Sequence, residues 1–544
     1  MAILHGSPTC TIPTRSRSST IVSIQLVQIL LLLLSMQIQS TFDVIWNNHH
    51  NNNQHNNNLN GSDPSNPNRR TNWNLAFATY PKTIVVAQSV EDVVNCVKNT
   101  TACPSPVLAV GSMKSVTSCI VNDGGTLLNL ASMTSILEYH PATGMVTCDA
   151  GVTLGDLHDY LLTSHQREIS FSPEMGDATV GSLAVTTSKD SSVQGPGSFS
   201  AIVVSLTYVD ANGQVQSLDR DLQPEAFQDF ICSFGMMGIV VQVQLETRPA
   251  AKILTRVAAT ENVATAEDAY RILQQAINQG DNVFALVIPQ EGTMVVEERY
   301  ADITKRRPLF KYVLNHFNPV FLRLLQRARF YTIQHGAPFS DASLSWTLKK
   351  LGILDTVGKQ VLSKWSIDVV HYRKDFTNRY DAVTLDQHRL DFSLYIYDLY
   401  DDNNNIKASD YSLSSVSSAS SSPSSAMLEV IFKDIWNFVV DWHAATGYAP
   451  SGWNVYFMHR TGEKPYGELR GPPGLSFAMD PYDGDPNSPE WRRFLIALNA
   501  RVLVLHNARM SPTQSRFVQE GDVVLPRSVV RERFLTPHYA KFVE

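Results

Sequence analysis

The segment from Val107 to Ser118 has the residue types and spacing needed to bind a diphosphate. An apolar, strand-like run ends at Gly111, and Ser112 and Ser115 follow it in a loop of small residues. A switch from strand to loop exposes several backbone N–H groups together, and these are suitable donors to a diphosphate. The predicted binding residues of this segment are Val110, Gly111, Ser112, Met113, Lys114 and Ser115.

Two later segments are also rich in small residues. Gly176–Ser182 lies beside an apolar stretch, and Gly235–Gly238 precedes a run of β-branched residues. A single glycine of this kind most often marks an ordinary turn, so the prediction depends on the joint pattern. The predicted site residues of these segments are Gly176, Thr179, Val180, Gly181, Ser182, Gly238, Ile239 and Val240.

Strands and helices alternate around these segments. Hydrophobic periodicity predicts helices at 90–98, 153–165 and 224–231, and strands at 83–87, 107–110, 126–130, 135–140, 145–149, 202–209, 215–218 and 239–245. The strands include too many hairpins for a doubly wound sheet, so the predicted class is α+β. Gly195 and Gly197 do not complete a dinucleotide fingerprint, because Ser200 stands where the third glycine is required.

Composition excludes some classes of function. The net charge of −7 argues against a nucleic-acid partner, which would require a basic face. No C-x-x-C motif or Cys/His cluster predicts a metal site.

The N-terminal residues have the features of a targeting segment. No acidic residue occurs in the first 42 positions, and Arg15 and Arg17 precede an apolar run from Ile21 to Ile38. Residues 1–40 are predicted to be a signal peptide or a signal anchor, which places the protein in the secretory pathway, secreted or membrane-anchored. A mitochondrial address is the alternative. Residues 41–71 form an Asn-rich linker that is predicted to be disordered.

Two further features matter if the chain is secreted. Asn60 and Asn99 lie in glycosylation sequons, so the protein would be a glycoprotein. Cys96 and Cys103 flank a short connection between a helix and a strand and could form a disulfide. Buried or unpaired thiols are the alternative.

From Asn72 to Pro249 the chain resembles the FAD-binding domain of the vanillyl-alcohol oxidase family, also called the PCMH-type domain. The matching motifs begin at Ser89 (S-V-E-D-V-V), Gly111 (G-S-x-x-S), Cys148 (C-D-A-G-V), Thr179 (T-V-G) and Gly235 (G-M-M-G-I-V). The resemblance implies a two-lobed α+β domain at 72–250 that holds FAD between its lobes. It also implies that the first loop lies along the pyrophosphate and the later segments along the flavin and adenosine.

The sequence departs from this family at two places. Many members have a histidine at the position of Lys114, and that histidine can carry FAD covalently. A lysine amine has a pKa near 10.4 and is mostly protonated at neutral pH, so the FAD is predicted to be bound non-covalently. Ser182 and the pair Lys189–Asp190 replace a second glycine and a His-Gly pair, which puts the substrate side of the flavin in question.

The rest of the chain carries weaker signals. Residues 251–488 loosely resemble the α+β cap or substrate domain of sugar-lactone oxidases and contain a Ser-rich loop at 409–425. Residues 489–544 are predicted to pack near the flavin. Predicted helices lie at 261–279, 427–445 and 489–503 and within 308–331 and 344–364, and predicted strands at 284–288, 293–298 and 390–397.

Arg509 is the candidate catalytic residue. Aldonolactone oxidases end in a Gly-Gly-Arg-Pro-His-Trp-x-Lys stretch, and here only Arg509 matches, since Ser511, Pro512 and Gln514 replace the other functional residues. An arginine near the flavin could stabilise negative charge on the reduced cofactor. An ordinary surface ion pair is the alternative.

Two functions follow from the resemblance. The first is an FAD-dependent oxidoreductase that takes a hydride from an alcohol carbon of a sugar, aldonolactone or similar small molecule, with oxygen or another acceptor reoxidising the flavin. The second is a secreted, flavoprotein-like binding protein that has lost catalysis, which the departures near Lys114, Lys189 and Arg509 would explain.

Overall fold

A computed structural model describes residues 67–171, 176–186, 188–190, 197–260, 262–301, 367–373, 391–399, 423–460, 474–483, 485–519 and 523–544. The predicted targeting segment, the helices predicted within 308–331 and 344–364, and nearly all of the Ser-rich loop lie outside these residues. Within the described ranges, no helix is both long enough and apolar enough to span a membrane.

The strands and helices are as follows. The strands are β1 Arg70–Thr71, β2 Ala78–Thr79, β3 Thr83–Val86, β4 Val107–Val110, β5 Thr126–Asn129, β6 Ile136–His140, β7 Met145–Asp149, β8 Arg167–Glu168, β9 Val203–Val209, β10 Val215–Asp219, β11 Ile239–Glu246, β12 Arg248–Pro249, β13 Lys252–Thr260, β14 Asn282–Ile288, β15 Thr293–Tyr300, β16 Ile367–Tyr372, β17 Asp391–Phe392, β18 Ile396–Asp398, β19 Gly452–Arg460 and β20 Gly474–Asp483. The α-helices are α1 Val90–Lys98, α2 Leu154–His165, α3 Val180–Val185, α4 Pro224–Ile231, α5 Ala266–Gln279, α6 Pro423–Thr446, α7 Pro489–His506 and α8 Pro537–Ala540.

A small parallel sheet forms the first lobe. Its order is β3-β5-β4, and α1 connects β3 to β4. Ser89 starts α1 with a capping box, in which its side chain accepts from the Asp92 N–H and the Asp92 carboxylate accepts from the Ser89 N–H. Strand β4 ends at Val110, so the loop at Gly111 begins directly at the end of this sheet.

An antiparallel sheet of five strands forms the second lobe, in the order β10-β9-β11-β7-β6. Most residues of β11 are buried, and α3 packs against this strand. The chain therefore has the two-lobed α+β fold that the sequence predicts.

The third sheet, which we call the cap sheet, has eight strands in the order β16-β13-β15-β14-β19-β20-β17, with β18 also paired to β20. Its neighbouring strands run antiparallel. Helix α5 packs against β14 and β15, and α6 packs on α5.

Some predicted boundaries in the cap region differ from the structure. The helix predicted from 261 begins at Ala266, because β13 continues to Thr260 and the Thr265 side chain caps the helix. The strand predicted at 390–397 is divided into β17 and β18. Strands β13, β16, β19 and β20 were not predicted, and together they build half of the cap sheet.

The cysteines of the described residues are all free and buried. Cys96 and Cys103 therefore do not form the disulfide that their spacing allows, although their thiols interact. Burial raises the pKa of the Cys96 thiol well above its usual range, which makes a buried thiol of this kind unreactive.

Candidate cofactor and substrate site

A cavity of about 390 Å³ extends from the loop at Gly111 to the cap sheet. The first lobe contributes β4 and the loop that follows it, and the second lobe contributes Gly238 and the start of β11. The cap sheet contributes side chains of β14, β15, β19 and β20. A single cavity thus joins all three sheets.

The loop after β4 has the backbone conformation of an anion-binding nest. Met113 has φ 53°, in the left-handed region that a non-glycine residue seldom adopts. Among the described residues, no acceptor is bonded to the backbone N–H groups of Gly111, Ser112 and Met113. Consecutive N–H groups around a left-handed residue make a concavity that binds phosphate oxygens. The donor set therefore suits a diphosphate.

The neighbouring N-terminal segment supports this loop. The Trp73 N–H donates to the Met113 carbonyl at 3.3 Å, and the Asn72 side chain donates to the Ser115 carbonyl at 3.0 Å. Both contacts fix carbonyl groups of the loop and therefore hold its backbone in this conformation.

The sequence suggests that the glycines of the three segments expose backbone N–H groups to a ligand. In the structure they allow neighbouring segments to approach closely. A Cβ on Gly111 would lie 2.2 Å from Thr179 Oγ1, and one on Gly181 would lie 2.6 Å from the Cβ of Ala150. A Cβ on Gly238 would lie 2.5 Å from the Tyr208 ring. These glycines therefore allow the segments to pack against one another and against the sheets, and this packing places the backbone around the cavity.

Lys114 forms an ion pair with Asp177. Lys114 Nζ lies 2.7 Å from Asp177 Oδ2, and only 9% of the lysine side chain is exposed. The pair connects the loop at Gly111 to the segment that begins at Gly176. The charge of Lys114 is thus paired within the protein.

The structure brings most of the predicted binding residues to the cavity. Those that line it are Val110, Gly111, Ser112, Met113, Lys114, Ser115, Thr179, Gly181, Ser182, Gly238, Ile239 and Val240. Gly176 and Val180 do not line it. The Gly176 carbonyl instead accepts from the Gly155 N–H at 2.7 Å, and Val180 is fully buried at the start of α3.

Arg509, the candidate catalytic residue, does not line the cavity. Its guanidinium forms an ion pair with the Asp398 carboxylate, and its backbone N–H donates to the Ile396 carbonyl at 2.8 Å. These contacts attach the C-terminal segment to β18. Arg509 thus forms a largely buried ion pair with Asp398, whereas the alternative to a catalytic role was a surface ion pair.

The C-terminal segment reaches the cavity a few residues later, through Thr513 and Gln514. Ser115 Oγ donates to the Thr513 carbonyl at 2.6 Å, and Thr117 Oγ1 donates to the Pro512 carbonyl at 2.9 Å. Arg516 donates to the Val116 carbonyl at 3.0 Å. The loop that carries the nest therefore also holds Gln514 in place.

Polar side chains line the end of the cavity at the cap sheet. Lys189 Nζ donates to Gln514 Oε1 at 2.8 Å. Tyr456 Oη donates to Asp480 Oδ2 at 2.7 Å, and the Tyr395 N–H donates to Asp480 Oδ1 at 3.3 Å. Burial raises the pKa of Asp480 to about 7, although the Tyr456 hydroxyl, Lys189 and the Tyr395 N–H each lower it. This carboxyl can therefore gain or lose a proton near neutral pH.

A buried group of charges borders the same end. Asp190 lies 3.7 Å from Arg299 and 3.6 Å from Arg373, and Arg373 also lies 3.6 Å from Glu168. Asp190 and Arg299 line the cavity. Asp190 therefore lies between two arginines at this wall.

Most of these polar residues were not predicted. Asn454 and Tyr456 alternate along β19 and Asp480 interrupts an apolar run in β20, which are recognisable features of a strand with one polar, inward face. The alternation could have identified the face, but the pairing of β19 with β20 depends on the fold. In the part of the chain that the structure describes, no group of three or more His, Cys, Asp and Glu side chains is placed to hold a metal ion.

Comparison with known proteins identifies the cofactor region. Residues 81–219 match the FAD binding domain family. D-arabinono-1,4-lactone oxidase of Saccharomyces cerevisiae is 29% identical over 203 residues, which are 36% of this chain and 37% of that protein. L-gulonolactone oxidase of Bos taurus is 25% identical over 178 residues, which are 33% of this chain and 40% of that protein. The matched part thus spans less than half the length of these relatives.

Solved structures with the same fold cover more of the chain. Cholesterol oxidase from B. sterolicum has a TM-score of 0.58 at 14% identity and covers 84% of this chain and 87% of its own. A chitooligosaccharide oxidase has a TM-score of 0.56 at 14% identity and covers 87% of this chain and 90% of its own. At this level of identity the likeness shows the shared fold, which includes both lobes and the cap.

Proposed function

We propose that this chain is an FAD-dependent oxidoreductase and that it oxidises an alcohol carbon of a sugar, aldonolactone or similar small molecule. One observation carries the proposal: the cavity that begins at the anion-binding nest ends at a wall of titratable and hydrogen-bonding side chains. The nest suits a cofactor, and the far wall suits a polar substrate.

The residues at the first end fit FAD. The N–H groups of Gly111, Ser112 and Met113 would hold the pyrophosphate, and the segments at Thr179 and Gly238 would enclose the rest of the cofactor. When bound, FAD supplies the acceptor for two electrons and a hydrogen as hydride. The protein's task is to orient the carbon that is oxidised and to remove the hydroxyl proton.

The far wall favours a substrate with several oxygen atoms. Lys189, Asn454 and Gln514 present donors to hydroxyl or lactone oxygens, and Phe284 and Tyr456 stack with their ring planes at 16°. A ring flanked by polar groups is a common surface for a sugar, which has an apolar face and a polar edge. The named relatives oxidise sugar-derived lactones, which supports this class of substrate.

We also propose that the FAD is bound non-covalently. Lys114 stands where a linking histidine would be required, and its amine is engaged by Asp177 at 2.7 Å. A protonated, paired amine is not a nucleophile.

A substrate panel on the FAD-loaded protein tests the function. Purified protein would be loaded with FAD and mixed anaerobically with sugars, aldonolactones and simple alcohols while flavin absorbance is recorded. Bleaching by one class, followed by recovery of colour and peroxide formation in air, is the expected result for an oxidase. Recovery only with another acceptor would indicate a dehydrogenase.

Two outcomes would contradict the proposal in different ways. Protein that stays colourless after FAD is added would exclude the cofactor role of the cavity. Bound flavin that no member of the panel bleaches would instead support the alternative of a flavoprotein-like binding protein without catalysis.

A further inference from the structure

We propose that Lys189 supplies the positive charge at the end of the cavity next to the cap sheet, here called the cap end, and thereby favours reduction of the bound cofactor. In this role it replaces the lysine that aldonolactone oxidases have in their C-terminal motif at the position of Gln514. The inference rests on the function proposed above. It joins two departures from the family pattern that lie 325 positions apart in the chain.

The backbone around Lys189 is held by a short antiparallel pairing. Lys189 forms an isolated bridge with Ser198, and the Asp190 N–H donates to the Gly197 carbonyl at 3.2 Å. The lysine side chain extends from this held backbone and lines the cavity.

Gln514 lies on a segment that is held as firmly. Its carbonyl accepts from the Leu394 N–H at 3.2 Å, and the preceding Thr513 carbonyl accepts from Ser115 Oγ at 2.6 Å. Lys189 Nζ donates to Gln514 Oε1 at 2.8 Å, and both side chains line the cavity. Two fixed segments thus place one ammonium group at a defined point of the cap end.

The two side chains are interchangeable in this contact. A lysine ammonium only donates, and a glutamine amide has an oxygen that accepts. Because the side chains meet end to end, a glutamine at 189 and a lysine at 514 would form the same hydrogen bond and keep the charge in the same part of the cavity. The two departures therefore compensate for one another and do not by themselves indicate a loss of catalysis.

The surroundings of Lys189 differ from those of Arg299, another cation of this wall. Arg299 lies 3.7 Å from Asp190 and 3.6 Å from Glu297, so carboxylates offset its charge. The hydrogen bond from Lys189 to Gln514 has a neutral acceptor. The charge of Lys189 also acts on the cavity wall, where it lowers the pKa of Asp480 against the larger, opposite effect of burial.

A positive charge that lines this cavity changes the reduction potential of bound FAD. Reduction adds two electrons and one proton to the cofactor, so the reduced form carries one more negative charge than the oxidised form. Opposite charges attract more strongly where water is excluded, and nearby charge is one of the means by which a protein tunes a flavin. Lys189 should therefore raise the potential and make oxidation of an alcohol carbon more favourable.

The variants to be compared with wild type are Lys189→Gln, Gln514→Lys, the double exchange variant and Lys433→Gln. Each would be loaded with FAD, and its reduction potential would be measured at about pH 6 by anaerobic titration with dithionite beside a reference dye. No substrate is needed, and two neighbouring lysines both keep their protons at this pH. Lys433 pairs with Glu429 on α6 and does not line the cavity, so its variant controls for the loss of a lysine charge elsewhere.

The potentials should follow the number of positive charges at the cap end. Lys189→Gln should lower the equilibrium constant for reduction about tenfold to hundredfold, which is a fall of about 30–60 mV for a two-electron couple. The double exchange variant should return to within about threefold of wild type, or ~15 mV. Lys433→Gln should have the wild-type potential.

Gln514→Lys separates the effect of charge from that of structure. It breaks the hydrogen bond, because two ammonium groups can only donate, yet it adds a positive charge. If the pair only holds the two segments together, this variant should weaken FAD binding in a fluorescence titration and leave the potential unchanged. If the charge acts on the cofactor, the potential should rise by up to about 30 mV, whatever the change in affinity.

The results that would overturn the inference are distinct from those that would overturn the function. Lys189→Gln with bound FAD and the wild-type potential would overturn the inference and leave the oxidoreductase function intact. An exchange variant whose potential stays as low as that of Lys189→Gln would also overturn it. If Lys189→Gln bound no FAD, an unchanged potential in Gln514→Lys would do the same. FAD-loaded wild-type protein that no substrate bleaches would overturn the function itself, a result on which the potentials do not depend.

Discussion

The lobes around the nest and the cap sheet contribute to one cavity by different means. In the lobes, the candidate contacts are backbone N–H groups of Gly111, Ser112 and Met113, held by close packing between loops. In the cap sheet, they are side chains of β19 and β20, held by the register of an antiparallel pair. A cofactor shared by many enzymes can be held by backbone atoms, whereas a particular substrate requires particular side chains.

This difference has an energetic consequence. Backbone N–H groups of a loop are neutral, so they can be solvated or bind a ligand without a charge being buried. The glycines there contribute only the space for close packing. The cap sheet buries Asp480, which is only 5% exposed. A buried carboxyl is destabilising unless it is neutral or paired with a charge, so the cap end of the cavity is maintained at the expense of stability.

The largest expected effect comes from the junction between the two regions. Asp391 in β17 lies 3.0 Å from Arg516 and accepts from Trp491 at 2.9 Å and from Asn74 at 3.3 Å. Asp391→Ala would leave Arg516 as a buried charge without its carboxylate. The free energy of unfolding should fall by about 3–5 kcal/mol.

Urea unfolding followed by fluorescence measures this change. Arg527→Ala is the control, because Arg527 and its partner Glu532 are 57% and 72% exposed. That variant should change stability by less than about 1 kcal/mol. If Asp391→Ala lowered the free energy of unfolding no more than Arg527→Ala does, the contacts of Asp391 would not be what stabilises the junction.

The second prediction concerns Asp480 and the pH dependence of stability. Burial raises the pKa of this carboxyl to about 7 from 3.8, so the folded state binds a proton more tightly than the unfolded chain. The stabilising effect of that proton is present below pH 4 and is lost as pH rises from about 4 to 7. At pH 8, Asp480→Asn should therefore be more stable than wild type by up to about 4 kcal/mol.

Thermal or urea unfolding at pH 5 and pH 8 provides the measurement. The difference between variant and wild type should be larger at pH 8, since only there is the wild-type carboxylate fully charged. A variant that is less stable than wild type at pH 8 would show that the carboxylate is well solvated in the fold. In that case the cap end of the cavity would have no free-energy cost of charge burial, and it would not differ from the nest in this respect.

A smaller effect is expected from adding a methyl group to the nest. Gly111→Ala would place a Cβ 2.2 Å from Thr179 Oγ1 and displace one loop from the other. Such overpacking costs about 1–3 kcal/mol, which corresponds to roughly a fivefold to 150-fold loss of FAD affinity if the displacement is confined to the nest. Fluorescence titration with FAD measures the affinity.

Thr179→Ala in the Gly111→Ala background is the matched rescue, because it removes the atoms that the new Cβ meets. Recovery of FAD affinity in the double variant is expected. Failure to recover would mean that Gly111 is required by the cofactor itself rather than by the neighbouring loop.

The smallest change is expected at Lys114. The charge of Lys114 is already paired with Asp177, so Lys114→Met should weaken FAD binding less than about tenfold. Acid precipitation should leave FAD in the supernatant for wild type and variant alike. Flavin that remains in the wild-type pellet would contradict non-covalent binding. Flavin retained by wild type but released from the variant would identify Lys114 as the point of attachment.

Local sequence determined the FAD-binding region to a large extent. The Ser89 capping box, the strand at Val107–Val110 and the loop at Gly111 each depend on neighbours within a few residues, so they were predictable. The positions of Thr179 and Gly238 beside that loop followed from the resemblance to a known domain. Even here, the packing between Gly111 and Thr179 was visible only in three dimensions.

The cap wall was decided by tertiary structure. Tyr456 and Asp480 are separated by 24 positions and meet only because β19 and β20 pair in one register, and a shift of one residue would turn either side chain to the other face. Lys189 and Gln514 are 325 positions apart and meet through the attachment of the C-terminal segment to the Gly111 loop.

Arg509 shows the converse. It matches a catalytic motif in sequence, yet its guanidinium is bonded to Asp398 on β18 and lies away from the cavity lining. Backbone conformation is encoded largely by residues close in the chain, so the sequence by itself determined the elements of the two lobes and the loop at Gly111. The FAD cofactor followed from the resemblance to a known domain. Which side chains face a substrate depends on strand register and on contacts between distant segments, and these only the tertiary structure decided.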